Sequence, residues 1–260
     1  MKIITSKDNQ LYKTALKLTK KKYRDEYGMY LLEGVKPLLD ALNTEGIYVR
    51  NILLCDDVGS RQDYPDEITV RLDRKLFERL SDTGTSQGVI AIAEKLCYDY
   101  ETFSEKAGMK GSNIVVLDRL QDPGNIGTIV RTAEAAGYRG IIVTAGSGDI
   151  YSPKVVRAAA GSLFRMPVLQ VDDSMEAVNM LRKMNKRIVT AALDTDIYYY
   201  QTDLTENIAL VIGNEGQGVS EVFMESSDIK VRIPMEGSIE SLNAAVAAGI
   251  LMYQSQKINR

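Results

Sequence analysis

The stretch NIVVLDRLQDPGNIGTIVRTAEAAGYRGIIVT, residues 113–144, decides the fold. NIVVL is a short, continuous apolar run, as a strand buried on both faces requires. DPGN is turn chemistry, and it places Asn125 as the N-cap of a helix over Asn125–Ala136, its side chain accepting from a first-turn N–H. GIIVT then returns as a second buried strand. Gly127 leaves the first helical turn open to a ligand, and Arg131 sits less than two turns beyond Asn125, able to reach back toward the strand ends, though alone it reads equally as an exposed helix arginine or a structural ion pair.

The rhythm continues downstream. SPKVVRAAAGSL reads as a helix, MPVLQV as a strand, SMEAVNMLRKMN as a helix and RIVTAAL as a strand. IALVIG and IKVRIP are two more strands, and SLNAAVAAGILMYQSQK closes the chain as a helix. Strands alternating with helices predict a mostly parallel sheet covered on both faces, with ligands binding beyond the carboxyl ends of the strands.

Upstream, YLLEG, VRNILLC, EITVRL and GVIAIAEK read as strands, with VKPLLDALN and DRKLFERLS as helices, a small α/β unit ending near residue 95. Residues 96–111, LCYDYETFSEKAGMKG, lose periodicity and read as a linker. The expected domains are therefore 1–95 and 112–260. Residues 1–24 carry Lys2, Lys7, Lys13, Lys17, Lys20, Lys21, Lys22 and Arg24 against the single acid Asp8. Leu11, Ala15, Leu16 and Leu18 recur at helical spacing, which predicts one helix with its basic residues outward: either a solvated face or a phosphate-contacting one.

Composition bounds the chemistry. The 260 residues are 45% hydrophobic and 26% charged, with a formal net charge of −3, as in an ordinary globular protein. No apolar run has the roughly 18 residues of a membrane helix, and the start MKIITSKDNQ lacks the apolar core of a secretory signal, so the expectation is a cytoplasmic protein with no membrane partner. Cys55 and Cys97 show no paired spacing and are expected as buried, reduced thiols. The chain has no histidine, which removes the usual general base and the commonest transition-metal ligand; no metal site is expected.

Two further loops follow strands. ALVIGNEGQGVS places Gly213, Gly216 and Gly218 after a buried strand, in an order that is neither a dinucleotide fingerprint nor a P-loop. IPMEGSIESLNAAVAAG carries Pro234, a glycine turn and Ser241-Leu242-Asn243 into a helix of small residues. Each loop alone is compatible with an ordinary connection. Together, in this order, they resemble the three motifs of the SpoU, or TrmH-like, family of RNA 2′-O-ribose methyltransferases in the SPOUT class. Asn125, Gly127 and Arg131 match the first motif, Gly213, Glu215, Gly216 and Gly218 the second, and Ile233, Pro234, Met235, Gly237, Ser241, Leu242 and Asn243 the third. Ala244-Ala245 departs from many relatives without touching the SLN core. LLEGVKPLLDAL and DTGTSQGVIAIAEK are similar to the L30e-like substrate-binding domain that often precedes this catalytic domain.

The resemblance implies a small L30e-like α/β domain followed by an α/β-knot domain, its sheet mostly parallel and its C-terminal part threaded into a trefoil knot. It implies S-adenosyl-L-methionine as cofactor, held by Thr144, Ala145 and Gly146, by Gly213, Asn214 and Gly218, and by Ile233, Met235 and Leu242. Arg131, Asn125, Glu215, Ser241 and Asn243 become the candidate catalytic set. Arg131 would either take the ribose proton or hold phosphate and ribose oxygens while oxyanion charge develops. Lys17, Lys20, Lys21 and Lys22 become RNA contacts. A homodimer through the knot and last helix is implied, with 23S ribosomal RNA as substrate, methylated on a ribose 2′-hydroxyl. The alternatives are a tRNA 2′-O-methyltransferase and a non-catalytic RNA-binding protein of the same fold. An oxidoreductase lacks its dinucleotide fingerprint.

Overall fold

The computed structural model describes residues 3–57, 63–192, 195–238 and 241–256. They group into two compact units, one of residues 1–96 with 149–164, the other of residues 97–148 with 165–260.

In the first unit, β1 (Ile3–Ile4), α1 (Gln10–Leu18), α2 (Lys21–Tyr27), β2 (Met29–Glu33), α3 (Val35–Leu42), β3 (Val49–Cys55), β4 (Thr69–Leu72), α4 (Arg74–Glu78) and β5 (Val89–Glu94) follow in chain order. The sheet order is β1-β4-β3-β5-β2, parallel from β1 through β3 and antiparallel at both faces of β5. Its core gathers Tyr12, Ala15 and Leu18 of α1 onto Leu31, Leu53, Leu72 and Ile92. Asn9 caps α1, its side chain accepting from the Leu11 and Tyr12 N–H groups.

The basic N-terminus is two helices rather than the single one expected. Lys20 has an extended backbone and starts α2, which Gly28 ends at a φ of 62°. Arg24 is also not outward. It is buried, donating to the Leu18 carbonyl and pairing with Asp149, with Nε 2.8 Å from the carboxylate. Through this pair, and the Tyr30–Tyr151 ring contact at 4.9 Å, residues 149–164 join the first unit, including the helix read from SPKVVRAAAGSL. Lys17, Lys20, Lys21 and Lys22 are exposed as expected. Cys55 is buried but Cys97 is exposed, correcting the expectation of two buried thiols.

The second unit begins with α5 (Tyr100–Ala107), inside the stretch read as a linker. Asp99 and Thr102 form a reciprocal capping box, a start signal that the polar composition hides, and Phe103 and Ala107 are fully buried. Then come β6 (Ile114–Leu117), α6 (Pro123–Ala135) and β7 (Gly140–Thr144); α7 (Pro153–Ala159) lies in the first unit. β8 (Val168–Val171), α8 (Ser174–Lys183), β9 (Arg187–Ala191), β10 (Ile208–Ile212), α9 (Glu221–Glu225), β11 (Ile229–Val231) and α10 (Ala244–Gln254) complete it. The strand order is β11-β9-β10-β6-β7-β8, and every pairing is parallel. The apolar runs of β6, β7 and β10 are buried along their whole length, as a sheet covered on both faces demands. All six strands therefore deliver their carboxyl ends to one edge.

Two charged side chains, Lys186 and Asp118, are among the buried polar groups of this unit. Lys186 directs its ammonium to the Met109 and Ser112 carbonyls and the Ser112 hydroxyl at 2.6–3.0 Å, and burial lowers its pKa to about 8. Asp118, fully buried just past β6, accepts the Ser220 N–H at 2.6 Å. No helix among the described residues is long and apolar enough to cross a membrane.

The Arg24–Asp149 pair sets an expected outcome in the first unit. Arg24→Ala strands a carboxylate that is only 10% exposed, and should lower unfolding stability by about 3 kcal/mol, measured by urea titration. Arg24→Ala, Asp149→Ala together should recover part of that loss.

Candidate active site

The helix carrying Arg131 starts two residues earlier than its sequence suggests. Asp122 is the N-cap: its side chain accepts the Asn125 N–H at 2.8 Å, and Pro123 fills the first helical position, where a missing N–H is harmless. Asn125 is thus inside the first turn rather than the cap. That frees its side chain for longer-range work.

That side chain is buried and bridges two distant loops. Asn125 Nδ2 donates to Glu215 Oε1 at 3.1 Å, and Asn125 Oδ1 accepts from Asn243 Nδ2 at 2.9 Å. Glu215 also accepts the N–H groups of Gln121 (3.2 Å) and Asp122 (2.9 Å), so its carboxylate serves the orphan donors ahead of α6. Partial burial pushes the Glu215 pKa up, but the N–H of Asp122, its own N–H, the Asn125 amide and the Gln121 N–H outweigh it, leaving the group below the ordinary carboxylate value. Asn243 is the N-cap of α10, its Oδ1 accepting from Ala245 and Val246. One buried amide therefore ties together the loops after β6 and β10 and the turn before α10.

The loop after β10 is braced internally. Asn214 and Gly218 exchange two backbone hydrogen bonds of 2.9 Å, and Asn214 Oδ1 accepts the N–H groups of Gly216 and Gln217. Asn214 Nδ2 reaches the Arg119 carbonyl at 2.9 Å. A Cβ on Gly213 would stand 2.5 Å from the Gly218 carbonyl oxygen and overlap the next peptide, so the close return of the loop requires glycine there. Gly218 has a φ of 71°.

Beyond the ends of β9, β10 and β11 lies a cavity of about 600 Å³, within the range of small-molecule and cofactor sites. Of the residues singled out from sequence, Gly213, Asn214, Glu215 and Gly218 line it from one side, and Ile233, Met235, Ser241, Leu242 and Asn243 from the other. Asn125 is attached through its hydrogen bonds. Thr144, Ala145 and Gly146 do not line it: the Thr144 hydroxyl accepts the Arg119 N–H, and Ala145 and Gly146 are exposed beyond β7. Arg131 does not line it either. It is exposed on α6 and has no hydrogen-bond or ion-pair partner among the described residues.

Sequence reasoning missed Ala191 and Ala192, which line the cavity after β9, and Gln217 and Arg232. Because β9 and β10 are neighbours in a parallel sheet, the end of RIVTAAL had to lie beside the Gly213 loop. That adjacency depends on strand order, which a linear sequence does not show. It also missed Asp118, whose signal was an acid directly after a buried strand.

Residues 112–253 match the SpoU rRNA methylase family, and residues 9–91 the MRM3-like substrate binding domain. The chain belongs to the SpoU rRNA methylase family. It is 34% identical over 254 residues to a Bacillus subtilis protein named 23S rRNA (guanosine(2553)-2′-O)-methyltransferase RlmP, covering 97% of this chain and 98% of that one. It is 32% identical over 265 residues to the 23S rRNA (uridine(2479)-2′-O)-methyltransferase of Streptomyces viridochromogenes, covering 97% and 91%. The crystal structure of an AdoMet-bound rRNA methyltransferase from Sinorhizobium meliloti superposes with a TM-score of 0.85 at 29% identity, over 98% of this chain and 97% of that one. The cavity of this SpoU chain suits such a cofactor: Ile212, Met235 and Leu242 offer apolar surface, the Gly213 loop offers backbone groups without side-chain cover, and its volume fits.

Gly213→Ala tests the cradle. The extra methyl must push the Gly218–Val219 peptide outward, and S-adenosylmethionine affinity by calorimetry should fall at least about 10-fold, as for loss of one good polar contact. Gly237→Ala, where a Cβ meets nothing within 4 Å, should leave that affinity near the wild-type value.

Proposed function

We propose that this protein transfers the methyl group of S-adenosyl-L-methionine to a ribose 2′-hydroxyl of ribosomal RNA, 23S rRNA being the substrate. The observation that carries the proposal is the Asn125 bridge, which joins the three motif loops at the wall of a glycine-lined cavity. Support comes from relatives that span nearly the whole chain and are named as 23S rRNA 2′-O-methyltransferases.

The bound cofactor supplies an electrophilic sulfonium methyl group. The chain's own residues divide the remaining work. Glu215, Asn125 and Asn243 spend their polar atoms on protein partners, so they act as positioning residues: they hold α6, the Gly213 loop and the start of α10 in register. Ser241, exposed at the cavity wall, is available to a ribose oxygen. Arg131 is available to RNA because no group among the described residues occupies it. A guanidinium is a poor proton acceptor and a good bidentate ligand for phosphate and ribose oxygens. We therefore assign Arg131 to orienting the 2′-hydroxyl and stabilising the developing oxyanion, with the proton leaving to solvent.

The basic face of the first unit belongs to the same proposal. Lys17 donates to the Tyr27 hydroxyl at 2.9 Å and lies over the Tyr23 ring, and Lys22 lies 5.9 Å from the same ring. With Lys20 and Lys21, this cation and aromatic surface suits phosphates and unstacked bases. We also take up the knot and the homodimer that the motifs imply, with a cytoplasmic site of action. What supports the knot is the return of α10 onto α6, with Asn243 meeting Asn125 from 118 residues away. What supports the dimer is a pair of exposed apolar side chains, Val246 and Tyr253, one heptad apart on α10.

Labelled methyl groups should pass from S-adenosylmethionine into 23S rRNA from a strain lacking the protein, and be recovered as a 2′-O-methyl nucleoside. Arg131→Ala should slow single-turnover transfer by about 100-fold or more while leaving cofactor affinity unchanged. Label entering tRNA alone would replace the rRNA assignment; near-native transfer by Arg131→Ala and Arg131→Lys would remove Arg131 from the mechanism.

A further inference from the structure

Arg119 has the left-handed backbone conformation, with a φ of 56°. L side chains enter that region against steric resistance and glycine enters it freely. The main chain explains why the conformation is held: the Arg119 N–H donates to Thr144 Oγ1 at 3.1 Å, and its carbonyl accepts Asn214 Nδ2 at 2.9 Å. Arg119 therefore pins the end of β6 to the ends of β7 and β10. A glycine would make both bonds without strain. The bonds account for the backbone and leave the side chain to be explained.

That side chain does little for its own fold. Nη1 reaches Gln217 Oε1 at 3.5 Å, the outer limit of a hydrogen bond, and Nε is buried with no hydrogen-bond partner among the described residues. The side chain forms a long ion pair, with Asp118 Oδ1 at 3.8 Å from Nε, beyond hydrogen-bond reach. The Asp118 carboxylate is already served by the Ser220 N–H at 2.6 Å and, at longer range, by the hydroxyls of Ser174 (3.4 Å) and Thr144 (3.5 Å). The Arg119 side chain is 36% exposed, and its stem runs beside Gly146, where a Cβ would stand 3.5 Å from Cγ. Strained backbone that persists beside a functional site is a recurrent sign of a placed side chain.

We propose that Arg119 is a binding site for a backbone phosphate of the RNA, set between the loops after β7 and β10. The inference rests on the methyltransferase reading above and adds to it a residue outside the three motifs. A guanidinium fork matches phosphate or carboxylate oxygens in a bidentate pair. The phosphate source is favoured over the carboxylate of the cofactor because Arg119 does not line the cavity, whereas its neighbour Gln217 does. The anion therefore arrives from the solvent side of the Gly213 loop.

Arg119→Gly separates this role from a structural one, because it removes the charge and relieves the strained backbone together. The full-length variant and wild type are compared for thermal unfolding, for S-adenosylmethionine affinity, and for affinity toward an unmodified 23S rRNA transcript at 50–200 mM KCl. The expected result is an unfolding midpoint close to wild type, the relieved backbone offsetting the lost Asp118 pair, with unchanged cofactor affinity, RNA affinity weaker by about 3- to 10-fold, and a log–log salt slope shallower by about 1. Arg119→Lys should keep most of the salt slope. A lower unfolding midpoint with a parallel loss of cofactor affinity would make Arg119 a purely structural residue and overturn the proposal. Weakened cofactor affinity with RNA affinity untouched would assign the anion to the cofactor carboxylate, and unchanged RNA affinity with an unchanged slope would overturn it too. Wild type that binds this transcript yet methylates no RNA would refute the enzymatic reading instead, while leaving the salt-slope comparison decisive for Arg119.

Discussion

The catalytic unit depends on one buried amide. Asn125 donates to Glu215 and accepts from Asn243, and those partners lie 90 and 118 residues further along the chain. A buried primary amide left unpaired would cost on the order of 1–3 kcal/mol, so the loops after β6 and β10 and the turn before α10 are stable mainly in one mutual arrangement. Glu215 extends the constraint to the Gln121 and Asp122 N–H groups. Asn243 extends it into α10 by capping its first turn. The bonds fit together because each side chain meets a need that a helix start or a tight loop creates.

The sheet makes this arrangement possible. With every pairing from β6 to β11 parallel, all the loops that follow strands emerge at one edge, and the order β11-β9-β10-β6-β7-β8 puts the Gly213 loop beside both the end of β9 and the end of β6. The cavity opens on the β9, β10 and β11 side, and the Asn125 bridge closes the β6 side. Gly213 lets the loop fold back on itself there, and the same lack of a side chain leaves backbone groups bare for a ligand. Arg131 stands apart from that cavity, exposed and unpaired among the described residues, as the RNA-facing role proposed for it requires.

The buried strands were plain in the sequence. IALVI, GIIVT and IVVL are apolar without alternation because both faces of the sheet are covered, and they match β10, β7 and β6 closely. The three motif loops were also legible, since glycine, proline and asparagine follow those strands directly. What stayed hidden was set by tertiary partners. Asn125 read as a cap because its local sequence fits one, yet Asp122 took that place and Asn125 turned to residues remote in the chain. Arg24 read as a surface cation because its neighbours are lysines, and only the approach of Asp149 made it a buried ion pair. Residues 100–107 read as a linker because polar residues and the flanking glycines dominate the stretch, although Tyr100, Phe103 and Ala107 fall at helical spacing. The lining of the cavity by Ala191 and Ala192 followed from strand order alone.

If the motif loops are held in one arrangement, Asn125 and Asn243 act as one element in forming the cofactor cavity. A double-mutant cycle with Asn125→Ala and Asn243→Ala, read as the dissociation constant of S-adenosylmethionine by calorimetry, measures this directly. The helix cap lost with Asn243 appears in both arms and cancels. The account predicts strong non-additivity, the second substitution adding little to the first and the coupling amounting to about 1 kcal/mol or more. Losses that add independently would show that the two loops shape the cavity separately, and would contradict it.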